Sequence, residues 1–199
     1  MIRINKGLDS VIILVHEIYG VNQHMKYFSQ LLSEQGFDII CPNLLGRETP
    51  FDYSQDEVAY HHFIENVGFV SASGKIKNVL RDIKGKYQRV YIVGFSVGAT
   101  VAWLCTEENG IHGMIGYYGS RIRDFVEIEP SCPTLLILPQ EEKSFNVDEF
   151  ILRLDKNNIE TLKLNGLHGF SDPYSSRYHK ESSRRAIDEM VSFFKIHKF

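Results

Sequence analysis

The sequence predicts an α/β protein whose mostly parallel sheet, of about six to seven strands, carries helices on both faces. Short runs rich in valine, isoleucine and leucine recur along the 199 residues, and such runs are typical of strands buried on both faces. Longer segments with apolar residues at helical spacing separate these runs, and this alternation favours parallel pairing. No repeat or linker divides the chain, so we expect residues 1–199 to form a single domain without a large cap.

The first elements are two strands with a helix between them. The continuous apolar run 11–15 predicts the first strand. Apolar residues at helical spacing predict a helix over 23–35, and Gly36 is a natural stop. The second strand is predicted over 37–41, where Pro42 ends it.

The middle of the chain is predicted to be largely helical. Residues 44–54 are irregular, with glycine, proline and turn-forming polar residues. Two helices are predicted over 55–70 and 73–86. The third strand, 89–93, follows, and a short turn leads from it into a helix that ends near residue 107.

The second half continues the same alternation. Strands are predicted over 112–118, 134–138 and 160–164. A helix over about 147–156 precedes the last of these strands, and a final helix over about 178–197 follows it.

Composition and charge exclude several classes of partner. The net charge of -3 and the pI near 6.2 give no basic surface, so we expect no nucleic-acid partner. The apolar run 11–15 is too short to cross a bilayer, and no signal-peptide pattern precedes it, so no membrane association is expected. Cys41, Cys105 and Cys132 are odd in number and widely spaced, which favours reduced core thiols in a cytoplasmic protein.

The strongest local motif is Gly94-Phe95-Ser96-Val97-Gly98, between a predicted strand and a predicted helix. A strand that turns sharply into a helix has room only for small residues two positions before and after the central one. The turn presents the Ser96 hydroxyl at the carboxyl edge of the sheet, and the helix N-terminus directs backbone N–H groups, including that of Val97, towards it. The pattern predicts a nucleophilic serine. The alternative is a glycine-rich turn with a capping serine.

His168 is the predicted general base, because it lies between the last strand and the last helix, where loops at strand carboxyl ends collect reactive groups. A carboxylate that orients it is expected after the preceding strand, in the chain order serine, acid, histidine. Glu141 and Glu142 both follow that strand, and the residues alone leave the choice between them open. The alternative is that both are solvated loop carboxylates.

A second oxyanion donor is expected in the loop after the first buried strand, His16-Glu17-Ile18-Tyr19-Gly20. Its spacing suggests the Ile18 N–H, paired with that of Val97. The residue four positions after His16 is Gly20, so the zinc motif HExxH is not formed. We expect neither a metal nor a cofactor.

Six short segments in chain order resemble those of the dienelactone hydrolase family of α/β-hydrolases, and the resemblance covers nearly the whole chain. The matching segments are His16-Glu17-Ile18-Tyr19-Gly20, Cys41-Pro42-Asn43-Leu44 with nearby Arg47, Gly94-Phe95-Ser96-Val97-Gly98, Gly116-Tyr117-Tyr118-Gly119, Cys132-Pro133-Thr134-Leu135-Leu136, and His168-Gly169-Phe170 with Asp172-Pro173. The resemblance implies the α/β-hydrolase fold and a hydrolase that uses a serine or cysteine nucleophile, a histidine and an acid, without a cofactor.

The resemblance also implies roles for single residues. Glu142 stands where the family has an aspartate, which favours it over Glu141 as the acid. Glu17 is implied to contact the nucleophile or the substrate. Tyr60 matches a position of the family's substrate site.

Two departures from the family bear on the substrate. The dienelactone members use a cysteine nucleophile, whereas this chain has Ser96. Asp56 and Asp172 stand where the family has arginines that hold a substrate carboxylate, and aspartates there would repel an anionic lactone. Arg47 and Arg177 are the candidates to replace those arginines.

These observations predict a serine hydrolase that cleaves a small carboxylic ester or lactone other than dienelactone, as a monomer or a homodimer. Residues 46–70 are the only insertion that could act as a lid. Two alternatives remain open: a non-catalytic binding protein with a degraded triad, and a thioesterase or acyltransferase that uses the same residues.

Overall fold

The computed structural model describes residues 1–154, 156 and 158–197; Asp155, Asn157, Lys198 and Phe199 lie outside the described residues. The strands are β1 (Ile2–Ile4), β2 (Ser10–Val15), β3 (Asp38–Cys41), β4 (Arg89–Phe95), β5 (Gly113–Tyr117), β6 (Thr134–Pro139) and β7 (Ile159–Leu164). The helices are α1 (Gln23–Glu34), α2 (Asp56–His62), α3 (Phe69–Ile83), α4 (Val97–Trp103), α5 (Val147–Arg153) and α6 (Lys180–Ile196).

Within the described residues, seven strands form one sheet in the order β1-β3-β2-β4-β5-β6-β7. Every neighbouring pair is parallel except β1 and β3, which are antiparallel. The predicted α/β-hydrolase fold, with its mostly parallel sheet and no large cap, is confirmed. The carboxyl ends of β2, β4, β5, β6 and β7 meet at one edge, and this edge carries the candidate site.

Strand β1 is absent from the prediction. It has three residues, and only Ile2 and Ile4 are partly covered while Arg3 is exposed. A run this short gives no clear period, so its place in the sheet depends on pairing with β3 rather than on its own sequence.

The helix predicted over 55–70 is also interrupted. It consists of α2, a π-helical segment Phe63–Val67, and a break at Gly68 before α3 begins at Phe69. Gly68 has φ 68° and ψ 159°, a conformation that is open essentially to glycine alone. The predicted helix is therefore divided at Gly68, where the backbone changes direction.

Three helices end earlier than predicted, and the first of them, α3, covers Phe69–Ile83 rather than 73–86. α4 ends at Trp103, well before residue 107, and the chain continues in a turn in which the Thr106 N–H and hydroxyl both donate to the Trp103 carbonyl, at 3.0 and 2.7 Å. α5 ends at Arg153, short of the predicted end near residue 156.

The two faces of the sheet carry separate apolar cores. Trp103 of α4 belongs to one core, which α3 also covers. Phe28 of α1 and Phe194 of α6 belong to the other core. Every residue of β2 is buried, as expected for a strand covered on both faces.

The three cysteines are free and buried, as predicted. Burial raises the pKa of Cys41 and of Cys105 to about 12 and that of Cys132 to about 11. All three thiols are therefore protonated at neutral pH. No helix of the described chain is long and apolar enough to cross a bilayer.

Candidate active site

Ser96 occupies a sharp turn between β4, which ends at Phe95, and α4, which begins at Val97. Its backbone has φ 53° and ψ −117°, a strained conformation for a residue with a side chain. The Ser96 N–H donates to the Tyr117 carbonyl at 2.9 Å, which fixes the turn against β5.

The two glycines of this turn are required by close backbone contacts. A Cβ on Gly94 would lie 2.3 Å from the Gly98 carbonyl oxygen. A Cβ on Gly98 would lie 2.3 Å from the Val15 carbonyl oxygen. Both distances are far shorter than van der Waals contact, so any larger side chain would force α4 away from β4 and β2.

Ser96, His168 and Glu142 form a continuous hydrogen-bonded chain. The Ser96 Oγ lies 2.8 Å from His168 Nε2, and His168 Nδ1 lies 2.7 Å from Glu142 Oε1. A carboxylate only accepts, so the Nδ1 proton is donated to Glu142, and Nε2 is left with its lone pair towards the serine hydroxyl. This arrangement can deprotonate Ser96 as it attacks an electrophile.

The structure brings Glu142, and not Glu141, to the histidine. The Glu142 side chain is only 8% exposed, whereas Glu141 is exposed to solvent. A β-bridge between Glu142 and Phe145 turns the loop after β6 back on itself, and Phe145 packs edge-on against Phe150 of α5. The apolar anchor thus directs Glu142 inward.

The candidate oxyanion donors Ile18 and Val97 both line the cleft beside Ser96. His16 Nδ1 lies 2.7 Å from the Glu17 carbonyl oxygen. Because C=O and N–H point in opposite directions across a trans peptide, this contact turns the Ile18 N–H away from His16. Neither the Ile18 nor the Val97 N–H donates to an acceptor among the described residues, so both are available to an oxyanion.

His16 is completely buried and acts on this loop rather than as a base. The Leu44 N–H donates to His16 Nε2 at 2.9 Å, so the proton of the neutral ring lies on Nδ1. Burial lowers the pKa of His16 to about 4, which keeps the ring neutral. The sequence does not reveal this role, because the partner, Leu44, lies in a different loop.

A second buried network lies behind the oxyanion loop. His24 Nδ1 lies 2.8 Å from Glu17 Oε1 and 3.8 Å from Asp172 Oδ2. The Tyr53 hydroxyl donates to Asp172 Oδ2 at 2.5 Å. Burial raises the pKa of Asp172, although the nearby His24 opposes this. Both carboxylates therefore lie near the His24 imidazole inside the protein, and Asp172 also accepts the Tyr53 hydroxyl proton.

The sequence does not reveal this network either. Tyr53 and Asp172 are 119 positions apart, so no local pattern connects them. His24 does carry a signal, since it lies four positions before the buried Phe28 on the apolar face of α1. A histidine on a buried helix face indicates a buried polar partner.

Glu17, His24 and Asp172 are the described residues whose ligand atoms lie close enough together to hold a metal ion. Their geometry fits a proton better than a metal. His24 Nδ1 and Glu17 Oε1 are at hydrogen-bond distance, and the other ring nitrogen, Nε2, has no partner among the described residues. The His24 ring packs edge-on against Phe28 and Phe95.

The triad opens into a cleft of about 910 Å³. Among the remaining candidates, Glu17, Tyr60 and Arg177 line it. Arg47 does not: its guanidinium stacks at 4.1 Å on the Phe51 ring and lines a different surface depression. The expectation that Arg47 contacts the substrate is therefore corrected, because cation–π stacking holds it elsewhere.

Asp56 and Asp172 both line the cleft, as their positions in the sequence suggested. Asp56 accepts a hydrogen bond from the Tyr19 hydroxyl at 3.0 Å and pairs with Arg177 Nη2 at 3.2 Å. The segment 46–70 supplies one wall of the cleft through α2, whose residues Asp56, Glu57 and Tyr60 face it.

Comparisons with known proteins show the family of the chain. A family model described as the dienelactone hydrolase family matches residues 4–198. The chain is 38% identical over 173 residues to the uncharacterized protein YczH of Bacillus subtilis (strain 168), and the match covers 85% of each chain.

Two further proteins are related in sequence or in fold. The chain is 29% identical over 123 residues to carboxymethylenebutenolidase of Pseudomonas putida, a match that covers 57% of this chain and 52% of that one. A crystal structure of a candidate dienelactone hydrolase from Klebsiella pneumoniae superposes with a TM-score of 0.78 at 20% identity, covering 96% of this chain and 88% of that one. Identity this low shows the shared fold alone.

Proposed function

Because the chain belongs to the dienelactone hydrolase family and is a hydrolase of that type, we propose that it is a serine hydrolase that cleaves a small carboxylic ester or lactone. The observation that carries the proposal is the hydrogen-bonded chain from Ser96 through His168 to Glu142 at the floor of the cleft. A strained serine next to an oriented imidazole is the arrangement that acyl transfer requires.

In the proposed reaction, the Ser96 Oγ attacks the ester carbonyl while His168 Nε2 takes up its proton. The negative charge that forms on the carbonyl oxygen is stabilised by the N–H groups of Ile18 and Val97. His168 then returns the proton to the leaving alcohol, and an acyl group remains on Ser96. Water, deprotonated by His168, attacks the acyl group; the bond to the Ser96 Oγ breaks, the acid is released, and His168 returns the proton to the Ser96 Oγ, while Glu142 stabilises the imidazolium in both halves.

A fluorophosphonate probe tests the nucleophile directly. We expect covalent labelling of Ser96, located by peptide mass spectrometry, and no labelling of the Ser96→Ala variant. Ser120→Ala is the matched control, because Ser120 is a second serine that lines the cleft and should leave the labelling unchanged. Ser96→Ala should lose the hydrolysis of short-chain aryl esters, and Ser120→Ala should retain it.

The opposite result would favour the alternative of a binding protein with a degraded triad. Folded protein that remains unlabelled and hydrolyses neither esters, lactones nor thioesters would contradict the proposal. Faster transfer of the acyl group to an added alcohol or thiol than to water would indicate an acyltransferase. We propose no cofactor and no nucleic-acid or membrane partner; cytoplasmic location and the choice between monomer and homodimer stay predictions.

A further inference from the structure

One wall of the cleft combines tyrosine rings with carboxylates. The Tyr19 and Tyr53 rings meet edge-on with their centroids 4.8 Å apart, and Tyr60 lines the same cleft. Tyr19 donates its hydroxyl proton to Asp56, and Tyr53 donates to Asp172. A phenol that donates to an anion becomes richer in electrons, so the faces of these rings attract cations more strongly.

The carboxylates of this wall, here called the acidic wall, outnumber its cations. They are Glu17, Asp56, Glu57 and Asp172. Arg177 pairs with Asp56 at 3.2 Å, and His24 lies 2.8 Å from Glu17. Glu57 forms no ion pair within the part of the chain that the structure describes. The wall therefore has a net negative charge even when His24 is counted as a cation.

Three further cations lie elsewhere around the cleft, and two of them share one counter-ion. Arg121, Arg123 and Lys143 line the cleft. The Arg121 Nε lies 2.8 Å from Asp124, and the Arg123 Nε lies 3.9 Å from it. Lys143 forms no ion pair within the described residues, and Glu142, which precedes it, contacts His168. Six carboxylates and four lysine or arginine side chains line the cleft in all, so its charge is negative, and the excess lies at the acidic wall.

Glu17 connects this wall to the reacting centre. Its side chain is only 6% exposed, and within the described residues it is hydrogen-bonded through Oε1 alone. The next residue in the chain is Ile18, the candidate oxyanion donor. Glu17 also lines the cleft, so a cation there can approach its second oxygen, and a nearby cation lowers the free-energy cost of a carboxylate that is largely removed from water.

We infer that the acidic wall binds a positively charged group of the substrate, an ammonium or quaternary ammonium, while Ser96 attacks the ester. The inference rests on the proposed function and names its substrate class: an ester with a cationic substituent. Carboxylates attract this group by their charge, tyrosine rings attract it through their faces, and the same wall repels an anion.

Three para-nitrophenyl esters that differ only at the end of the acyl chain test the inference. Their acyl groups are γ-trimethylammoniobutanoyl, its tert-butyl isostere with carbon in place of nitrogen, and glutaryl, which ends in a carboxylate after the same three methylenes. Each enzymatic rate is divided by the spontaneous hydrolysis rate of that ester. We expect kcat/KM for the cation to exceed that of the isostere about tenfold, and the anion to be the poorest substrate.

Two variants assign the preference to the wall. Glu57→Gln and Tyr60→Leu should each lower the ratio of kcat/KM between the cation and its isostere about threefold, because each removes one attraction. Glu189→Gln, on the far helix α6, makes the same charge change outside the cleft and should leave the ratio unchanged. A ratio near unity in the wild-type protein, or one that neither cleft variant alters, would overturn the inference.

A binding measurement separates this inference from the proposed function. The Ser96→Ala protein is titrated calorimetrically with methyl ketones that carry the same cationic and tert-butyl ends. Binding of the cation about tenfold tighter than the isostere would support the inference even where no ester is hydrolysed. Equal binding of the two ketones would overturn it even where all three esters are good substrates.

Discussion

The chemistry of the cleft depends on which nitrogen of each histidine carries a proton. In His168 and in His16, an oxygen acceptor lies within 2.7 Å of Nδ1, so the proton is assigned there and Nε2 is left as an acceptor. For His168 that acceptor nitrogen faces Ser96, and for His16 it faces the Leu44 N–H. The same tautomer thus serves a reactive role in one place and a structural role in the other.

Replacing Glu142 tests the tautomer of His168. In Glu142→Gln, the neutral amide neither fixes the Nδ1 proton nor stabilises an imidazolium, so we expect kcat for ester hydrolysis to fall on the order of 10³-fold. Steady-state kinetics with an aryl ester measure this. Glu141→Gln is the matched control, because its carboxylate is exposed and away from His168. Equal losses in the two variants would contradict the assignment of the acid.

At the scale of single residues, the sequence predicts the role of a residue when the catalytic groups follow a fixed order along the chain. Ser96 and His168 could be predicted because each follows a predicted strand directly or in the next loop. The choice of Glu142 over Glu141 could not be made from residues alone, because it depends on the bridge to Phe145 that turns the loop. Tyr53 meets Asp172 only through the tertiary fold.

At the scale of elements, the turn between β4 and α4 controls the site because three elements meet there. A Cβ on Gly98 would come within 2.3 Å of a carbonyl at the end of β2, the strand that carries the oxyanion loop. A shift of α4 would therefore also displace the end of β2 and Ile18, because Gly98 packs directly against the backbone there. The strained backbone of Ser96 persists because the contacts of the turn with β2 and β5 fix its conformation.

Gly98→Ala is expected to destabilise the protein by more than about 3 kcal/mol, or to prevent folding, because the added methyl group collides with rigid backbone. Chemical denaturation with urea measures the change. Gly74→Ala in α3 is the control: a Cβ there meets no atom within 4 Å, so the free energy of unfolding should stay level or rise by up to about 1 kcal/mol. Wild-type stability in Gly98→Ala would show that α4 can shift.

Elements were predicted where burial on both faces gives a continuous apolar run, as in β2, or where a long apolar stripe marks a helix, as in α6. They were missed where tertiary contacts decide. β1 exists through pairing with β3, and the division of 55–70 depends on the backbone of Gly68. Neither leaves a periodic pattern in the sequence.

At the scale of the whole molecule, buried ionisable groups link the stability of the fold to pH. His16 is neutral in the folded protein, with a pKa near 4, whereas an unfolded histidine has a pKa of 6.5. Below that higher value the unfolded chain binds a proton that the folded protein does not, so acid favours unfolding. Asp172 has the opposite effect on stability: its raised pKa means that, as the pH falls, the folded protein binds a proton before the unfolded chain does.

We expect the free energy of unfolding to fall as the pH decreases from about 6.5 towards 4, with His16 contributing at most about 1.4 kcal/mol per pH unit. Urea unfolding at several pH values measures the slope. His16→Gln should be less stable near neutrality but should show a shallower slope. His61→Gln, at an exposed position, should retain the wild-type slope. An unchanged slope in His16→Gln would assign the acid sensitivity to other groups.

The burial of every cysteine has a practical consequence. All three thiols of the sequence are enclosed and protonated at neutral pH, so a maleimide dye finds no reactive partner on the folded wild-type protein. A thiol introduced at Tyr60, at the mouth of the cleft, would therefore accept a single fluorophore without any prior removal of native cysteines. Such a reporter would follow the arrival of a substrate, and any movement of α2, as a change in emission from one known position.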